Sequence, residues 1–248
     1  MTPVGRSIFF AFTSLFHPRI LWLMVWPMLV SLLAWGVTAF VLWGATAIWL
    51  AAHLKRWLES GMFFFSFQTG DAMLVTAHVI MALLFIPLVW FTALFILSIF
   101  GMQAMVEHVA SRRFPQLARR HGGGVAGSIW NAVVALGGLV VLGLVSLPFW
   151  LIPPLWPVIP IVIMGWVNQR VLRFDALADH ATAEEMRAIF SSRRRSLYVL
   201  GAILALLAYV PLVGFVAPVL FALAFIHLLL GELATLRQAP IEGEVVRS

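Results

Sequence analysis

The chain of 248 residues has no cysteine, which excludes disulfides, thiolate metal sites and thiol catalysis and leaves charge placement as the guide to its compartment. Charge is scarce as well. Asp, Glu, Lys and Arg make up 10% of the residues, against 62% that are hydrophobic, whereas a soluble domain carries about 25% charged and about 45–50% apolar residues. A soluble core cannot absorb that excess, so apolar side chains have to face lipid or membrane-embedded neighbours. Catalytic signatures are missing too. The seven histidines are scattered without His-Glu-x-x-His or comparable ligand spacing, and Asp179 and His180 are adjacent, so along a helix they diverge. There is no nucleophile elbow, and Gly122-Gly123-Gly124 is not followed by the Lys and Ser or Thr of a nucleotide loop. An enzyme is the least supported class, and no metal or cofactor is expected. Met1 to Phe16 lack a small-residue cleavage site after a compact apolar stretch, so a removable signal peptide is not expected.

What is present is a series of charge-free apolar runs. Ile20 to Leu54 exceeds the roughly 20 residues that cross a bilayer, and Pro27 near its start predicts a kink. Before it, residues 5–17 read as an interfacial helix, with Phe9, Phe10, Phe12, Leu15 and Phe16 for lipid and Arg6, His17 and Arg19 for headgroups. Residues 72–107 form the second span, continuing as a helix towards Arg113. After a flexible Gly122–Gly124 linker, the apolar stretch over residues 125–169 is interrupted by Pro148, Pro153, Pro154, Pro157 and Pro160, which makes it a helical hairpin. Residues 175–195 form an amphipathic cytoplasmic segment. A second hairpin, over residues 197–233, is broken by Pro211, Gly214 and Pro218 and is too short for two full crossings. The fold class expected is therefore an all-α integral membrane protein: one domain with two long transmembrane helices and two proline-tipped, hemi-penetrating hairpins.

The net charge of +6 sits in short clusters between apolar runs rather than along one face, so it reads as topology and not as a nucleic-acid surface. Arg112, Arg113, Arg119 and Arg120, then Arg170 and Arg173, then Arg187 and Arg193 to Arg195, place those segments and both termini in the cytoplasm by the positive-inside rule. Non-helical hairpin tips at membrane depth need cover from protein or an aqueous cavity, which favours a homo-oligomer or a pore.

Residues 174–218, FDALADHATAEEMRAIFSSRRRSLYVLGAILALLAYVPLVGFVAP, carry Asp175, Asp179-His180, Glu185-Met186-Arg187, Arg194-Arg195, Gly201, Pro211 and Pro218 in order. With Pro18 and Pro27 upstream, this set resembles the CysZ sulfate permeases within the etoposide-induced membrane protein family. The resemblance implies two long transmembrane helices with two hemi-penetrating pairs, oligomeric assembly in a bacterial-type inner membrane, and sulfate uptake feeding sulfur assimilation. Where the sulfate permeases carry a Gly-hydrophobic-Arg motif, this chain has Arg19-Ile20-Leu21-Trp22. Gly214 stands where the family has asparagine, and Leu223-Ala224-Phe225 where it has Gly-Ala-Thr. The class implied is a permease or channel for a small anion, with a non-transporting scaffold or lipid-interacting protein of the same family as the alternative.

An anion in a water-poor site needs positive charge or oriented donors. Helices restarting near Pro160 and Pro218 would point their N-termini inward for that purpose, or the prolines merely shape packed turns. Arg19 at the mouth of the first span can pair with a tetrahedral anion, or snorkel to a lipid phosphate. Arg193, Arg194 and Arg195 form either an electropositive vestibule or a topology signal. His78, Asn131 and His227 are polar groups inside apolar runs, suited to proton relay or to interhelical hydrogen bonds. Glu232 is expected to face the cytoplasm.

Overall fold

The computed structural model describes residues 2–60 and 70–238. Residues 61–69, between the two expected long spans, and residues 239–248, where the expected placement of the C-terminus falls, lie outside the described residues. Among those described, the regular elements are helices: α1 Pro3–Leu15, α2 Pro18–Ser60, α3 Gly70–Arg113, α4 Val125–Ser146, α5 Val158–Asp175, α6 Ala183–Ser192, α7 Arg194–Leu207 and α8 Pro211–Gln238, with two short 3-10 turns between α4 and α5. Among the described residues, five stretches are long and apolar enough to cross a membrane: Pro18–Leu58, Asp71–Arg113, Ala126–Leu151, Pro153–Asp175 and Pro211–Gln238. α7 has 14 residues, about 21 Å of helix, less than the roughly 30 Å of a hydrocarbon core.

The chain divides into two compact units, Trp22–Phe100 and Met1–Leu21 with Gly101–Ser248. In the first, α2 and α3 pair antiparallel. Trp26 lies 6.2 Å from Phe100 and Trp43 lies 6.2 Å from His78, centroid to centroid, and between them Trp35 Nε1 donates to Thr92 Oγ1 at 2.9 Å. Ala47, Ala77 and Ala93 are buried. Both helices continue through an internal proline, Pro27 in α2 and Pro87 in α3.

The other unit is built around α8. Phe225, Ile226, Leu229 and Leu230 have no exposed surface, and α1, α5 and α7 pack on this helix. In its most apolar window 61% is buried, against 6% for α4, so α4 presents its apolar surface outward while α8 is an interior helix. α1 begins at Thr2, whose hydroxyl accepts from Gly5 N at 3.2 Å with Pro3 in the first turn. Its buried positions, Val4, Ser7, Ala11 and Leu15, recur at helical spacing and form the stripe turned towards α8. Leu15 therefore belongs to the protein interior and not to the lipid face, while Phe9 and Phe16 are exposed as expected.

Two further expectations change. The glycines 122–124 are not a flexible linker. Gly122 N donates to Ala181 O and Gly123 N to Ala178 O, both at 3.0 Å, and a Cβ on Gly122 would come within 2.3 Å of the Ala181 carbonyl. Backbone lies on backbone there, which only glycine permits. Second, α8 starts at Pro211 and runs through Pro218 without a restart. Packing around Ala217, Val219 and Leu220, all buried, holds the helix together across the backbone hydrogen bond that proline removes. By contrast α5 does start beside the proline tract, at Val158 with Pro160 in its first turn. Glu232 Oε2 accepts from Arg193 Nε at 2.9 Å, with 12% of the side chain exposed.

A polar knot ties the loops to the end of α8. Thr182 and Glu185 form a reciprocal capping box that starts α6, with Glu185 N to Thr182 Oγ1 at 3.2 Å and Thr182 N to Glu185 Oε2 at 2.8 Å. The same carboxylate accepts from Arg237 Nε at 2.9 Å and Nη2 at 3.0 Å, and from Arg120 Nη1 at 3.4 Å. Arg237 also donates to Ala118 O and His180 O. Asp179 and His180 leave the helix pattern and enter a turn, where Asp179 O accepts from Arg120 N and His121 N at 3.1 Å.

Candidate anion-binding site

α5 and α7 cross at Gly165 and Gly201, where a Cβ on Gly201 would sit 2.3 Å from the Gly165 carbonyl oxygen. This close crossing, and the hydrogen bond from Tyr198 Oη to Val162 O at 3.1 Å, fix the first half of α7 against the first half of α5. Gln169 and Arg173 are one turn apart on α5; Arg194 and Tyr198 are one turn apart on α7. Together with Arg170, Arg195, Ser191, Ser192 and Trp166 they line an open cavity of about 990 Å³.

Four guanidinium groups share this cavity, and none of its lining residues is acidic. Arg173 is held in place by its own surroundings: Nη1 donates to Gln169 Oε1 at 3.1 Å, and the guanidinium lies 4.7 Å from the Phe190 ring centroid. The Nε atoms of Arg170 and Arg173 are buried with no hydrogen-bond partner. Buried donors without an acceptor are uncommon, because each loses its water without replacement. α7 opens at this cavity with no side-chain cap on its N-terminus, which adds the positive end of a helix dipole. Chemically, the arrangement is suited to an acceptor-rich, multiply charged anion whose oxygens can take several charge-assisted hydrogen bonds.

Of the residues singled out in the sequence, Arg194 and Arg195 line the cavity, whereas Arg193 is engaged with Glu232. Arg19 is the second residue of α2, exposed and outside the cavity lining, with its backbone N–H donating to His17 Nδ1 at 3.2 Å. Asn131 is buried and donates to the Arg170 carbonyl at 2.8 Å, tying α4 to α5 directly behind the cavity. His78 donates from Nδ1 to Leu74 O at 2.7 Å, one turn back on its own helix. His227 shares a hydrogen bond of 2.9 Å with Ser14 Oγ. Gln169, Arg170, Arg173 and Tyr198 were not assigned to a site from the sequence, where the two arginines served only as topology signals. The i, i+4 spacings 169, 173 and 194, 198 were legible in the sequence; that the two pairs face each other was not.

The family described as Sulfate transporter CysZ/Etoposide-induced protein 2.4 matches residues 7–218. The chain belongs to this family. The match takes in both the 174–218 stretch and the upstream Pro18 and Pro27, and with five apolar helices among the described residues the chain is a multi-pass membrane protein of a transporter-type family. No curated protein and no solved structure matches it. The α5–α7 cavity lies within the matched region.

Proposed function

We propose that the protein is a permease or channel for a small tetrahedral anion, sulfate in particular, supplying sulfur assimilation from a bacterial-type inner membrane. The observation that carries this reading is the α5–α7 cavity: Arg170, Arg173, Arg194 and Arg195 around one space with no carboxylate among its lining residues. A dianion there satisfies the buried Nε donors and relieves repulsion between like charges. Arg193 plays a structural part through Glu232, and Arg19 meets the anion or a lipid phosphate at the mouth of the first span.

The topology proposed has both termini in the cytoplasm, α2 and α3 crossing fully, and the α4–α5 and α7–α8 pairs entering from the cytoplasmic side. Leu151 and Leu212, 84% and 82% exposed, lie at the turns of these pairs and require cover from lipid or from other copies in a homo-oligomer. Uptake of labelled sulfate into proteoliposomes tests the function. The reading expects uptake above that of protein-free liposomes, competed by other tetrahedral oxyanions and reduced in Arg194→Gln/Arg195→Gln. Well-inserted protein giving no uptake, with or without a pH gradient, contradicts it and leaves a non-transporting membrane scaffold.

A further inference from the structure

A second cavity, of about 560 Å³, opens among α1, the C-terminal end of α3 and α8. It shares no residue with the α5–α7 cavity. Two guanidinium groups of its wall gather on one ring: Arg113 lies 3.6 Å and Arg6 lies 5.4 Å from the Phe10 centroid. Neither meets a carboxylate among the described residues, and the acidic residue in the wall, Glu232, is already engaged by Arg193. The aromatic face attracts each cation but does not cancel their mutual repulsion.

His227 supplies an independent sign of a missing partner. It lines the same cavity and is only 5% exposed; its Nε2 is bonded to Ser14 Oγ, while its Nδ1 is buried with no partner at all. With Ser14 donating to Nε2, the Nδ1–H is left as a donor, and buried polar groups in folded proteins are nearly always met.

We infer that this cavity is a second oxyanion site, in which Arg6 and Arg113 clamp a phosphate-class tetrahedral oxyanion and His227 donates to it from Nδ1. The bidentate geometry of guanidinium suits such a group. The oxyanion comes either as the headgroup phosphate of an anionic lipid, to which exposed Phe9 on the same helix adds an acyl-chain contact, or as the free ion. The site does not depend on transport through the α5–α7 cavity.

The test uses the full chain carrying Arg173→Gln/Arg194→Gln, so that the first cavity does not contribute. Inorganic phosphate is titrated calorimetrically in uncharged detergent, and phosphatidylglycerol retained from phosphatidylcholine nanodiscs is counted by native mass spectrometry. Adding Arg6→Gln/Arg113→Gln is expected to weaken one of these probes by about tenfold or more. Loss confined to phosphatidylglycerol identifies a lipid site; loss of inorganic phosphate identifies a free-ion site. Arg113→Lys, which keeps the charge but not the planar fork, is expected to fall between. A parent that binds neither probe, or a folded Arg6→Gln/Arg113→Gln chain that binds both as the parent does, overturns the inference. Should the double variant not fold, Arg6→Gln alone decides, and unchanged affinity overturns it.

Discussion

Glu185 has two arginines around it, Arg237 and Arg120, and Glu232 has Arg193, whereas the α5–α7 cavity collects Arg170, Arg173, Arg194 and Arg195 with no acid among its lining residues. Apart from Arg237, both groups arise from the same basic clusters between apolar runs. The difference shows that charge counted along a sequence does not distinguish a fastening from a binding site; the presence of a carboxylate partner does. A paired arginine is satisfied by the fold and its removal is felt as lost stability. An unpaired set adds repulsion to the fold and is relieved only by an anion from outside.

The contrast breaks most sharply at the Gly165–Gly201 crossing. Gly201→Val drives a side chain into the α5 backbone and should cost at least about 1–3 kcal/mol, with oxyanion binding at the cavity abolished as the two arginine pairs move apart. A variant that keeps wild-type thermal stability and binding would show that the crossing does not position the site.

Next in size is Glu185→Gln, which leaves Arg237 without its counter-charge. The hydrogen bond from Arg237, followed by the Thr182 N–H and the charges of Arg237 and Arg120, outweighs burial and holds the Glu185 carboxyl at about 2 instead of 4.5. That difference corresponds to roughly 3 kcal/mol of linked stability, to be read from thermal or denaturant unfolding in detergent. Sulfate affinity should stay as it is in this variant, since Glu185 is not among the cavity's lining residues.

Acid should loosen the same knot in two stages. Burial, helped by the charge of Arg119, lowers the pKa of His180 below 6.5, against the opposing pull of Asp179. Both folded pKa values are depressed, so the stability each group contributes is present above its unfolded pKa and is lost as pH falls. The His180 contribution declines below about pH 6.5 and that of Glu185 between about pH 4.5 and 2. A melting temperature that rises on acidification from pH 7 to 4 would reverse this sign. The smallest effect belongs to the other unit: Thr92→Val removes the bond from Trp35 and should cost only about 0.6 kcal/mol.

How much of this was readable in advance follows from where each signal is stored. The two long helices were evident because their apolar runs are continuous over local sequence, and the break between α4 and α5 because four prolines, Pro148, Pro153, Pro154 and Pro157, fill it. The role of Gly122 and Gly123 was hidden, since a glycine that lets backbone lie on residues 178–181 has the composition of a linker. Leu15 was turned towards lipid on paper because the helix that covers it, α8, begins almost two hundred residues later. Pro218 reads as a break in the sequence because proline propensity is local, while the packing that keeps α8 intact is tertiary. The cavity was half visible: Arg194 and Arg195 stood out as a run, but Arg170 and Arg173 became its other wall only once α5 lay across α7.

Calorimetric titration of sulfate into matched variants tests the central distinction most directly. Arg173→Gln/Arg194→Gln removes two unpaired charges; Arg120→Gln/Arg193→Gln removes two paired ones from the same unit. The account predicts that sulfate binding falls by about tenfold or more in the first and persists in the second, which instead melts at lower temperature. Equal loss in both, or wild-type binding in the first, would contradict it.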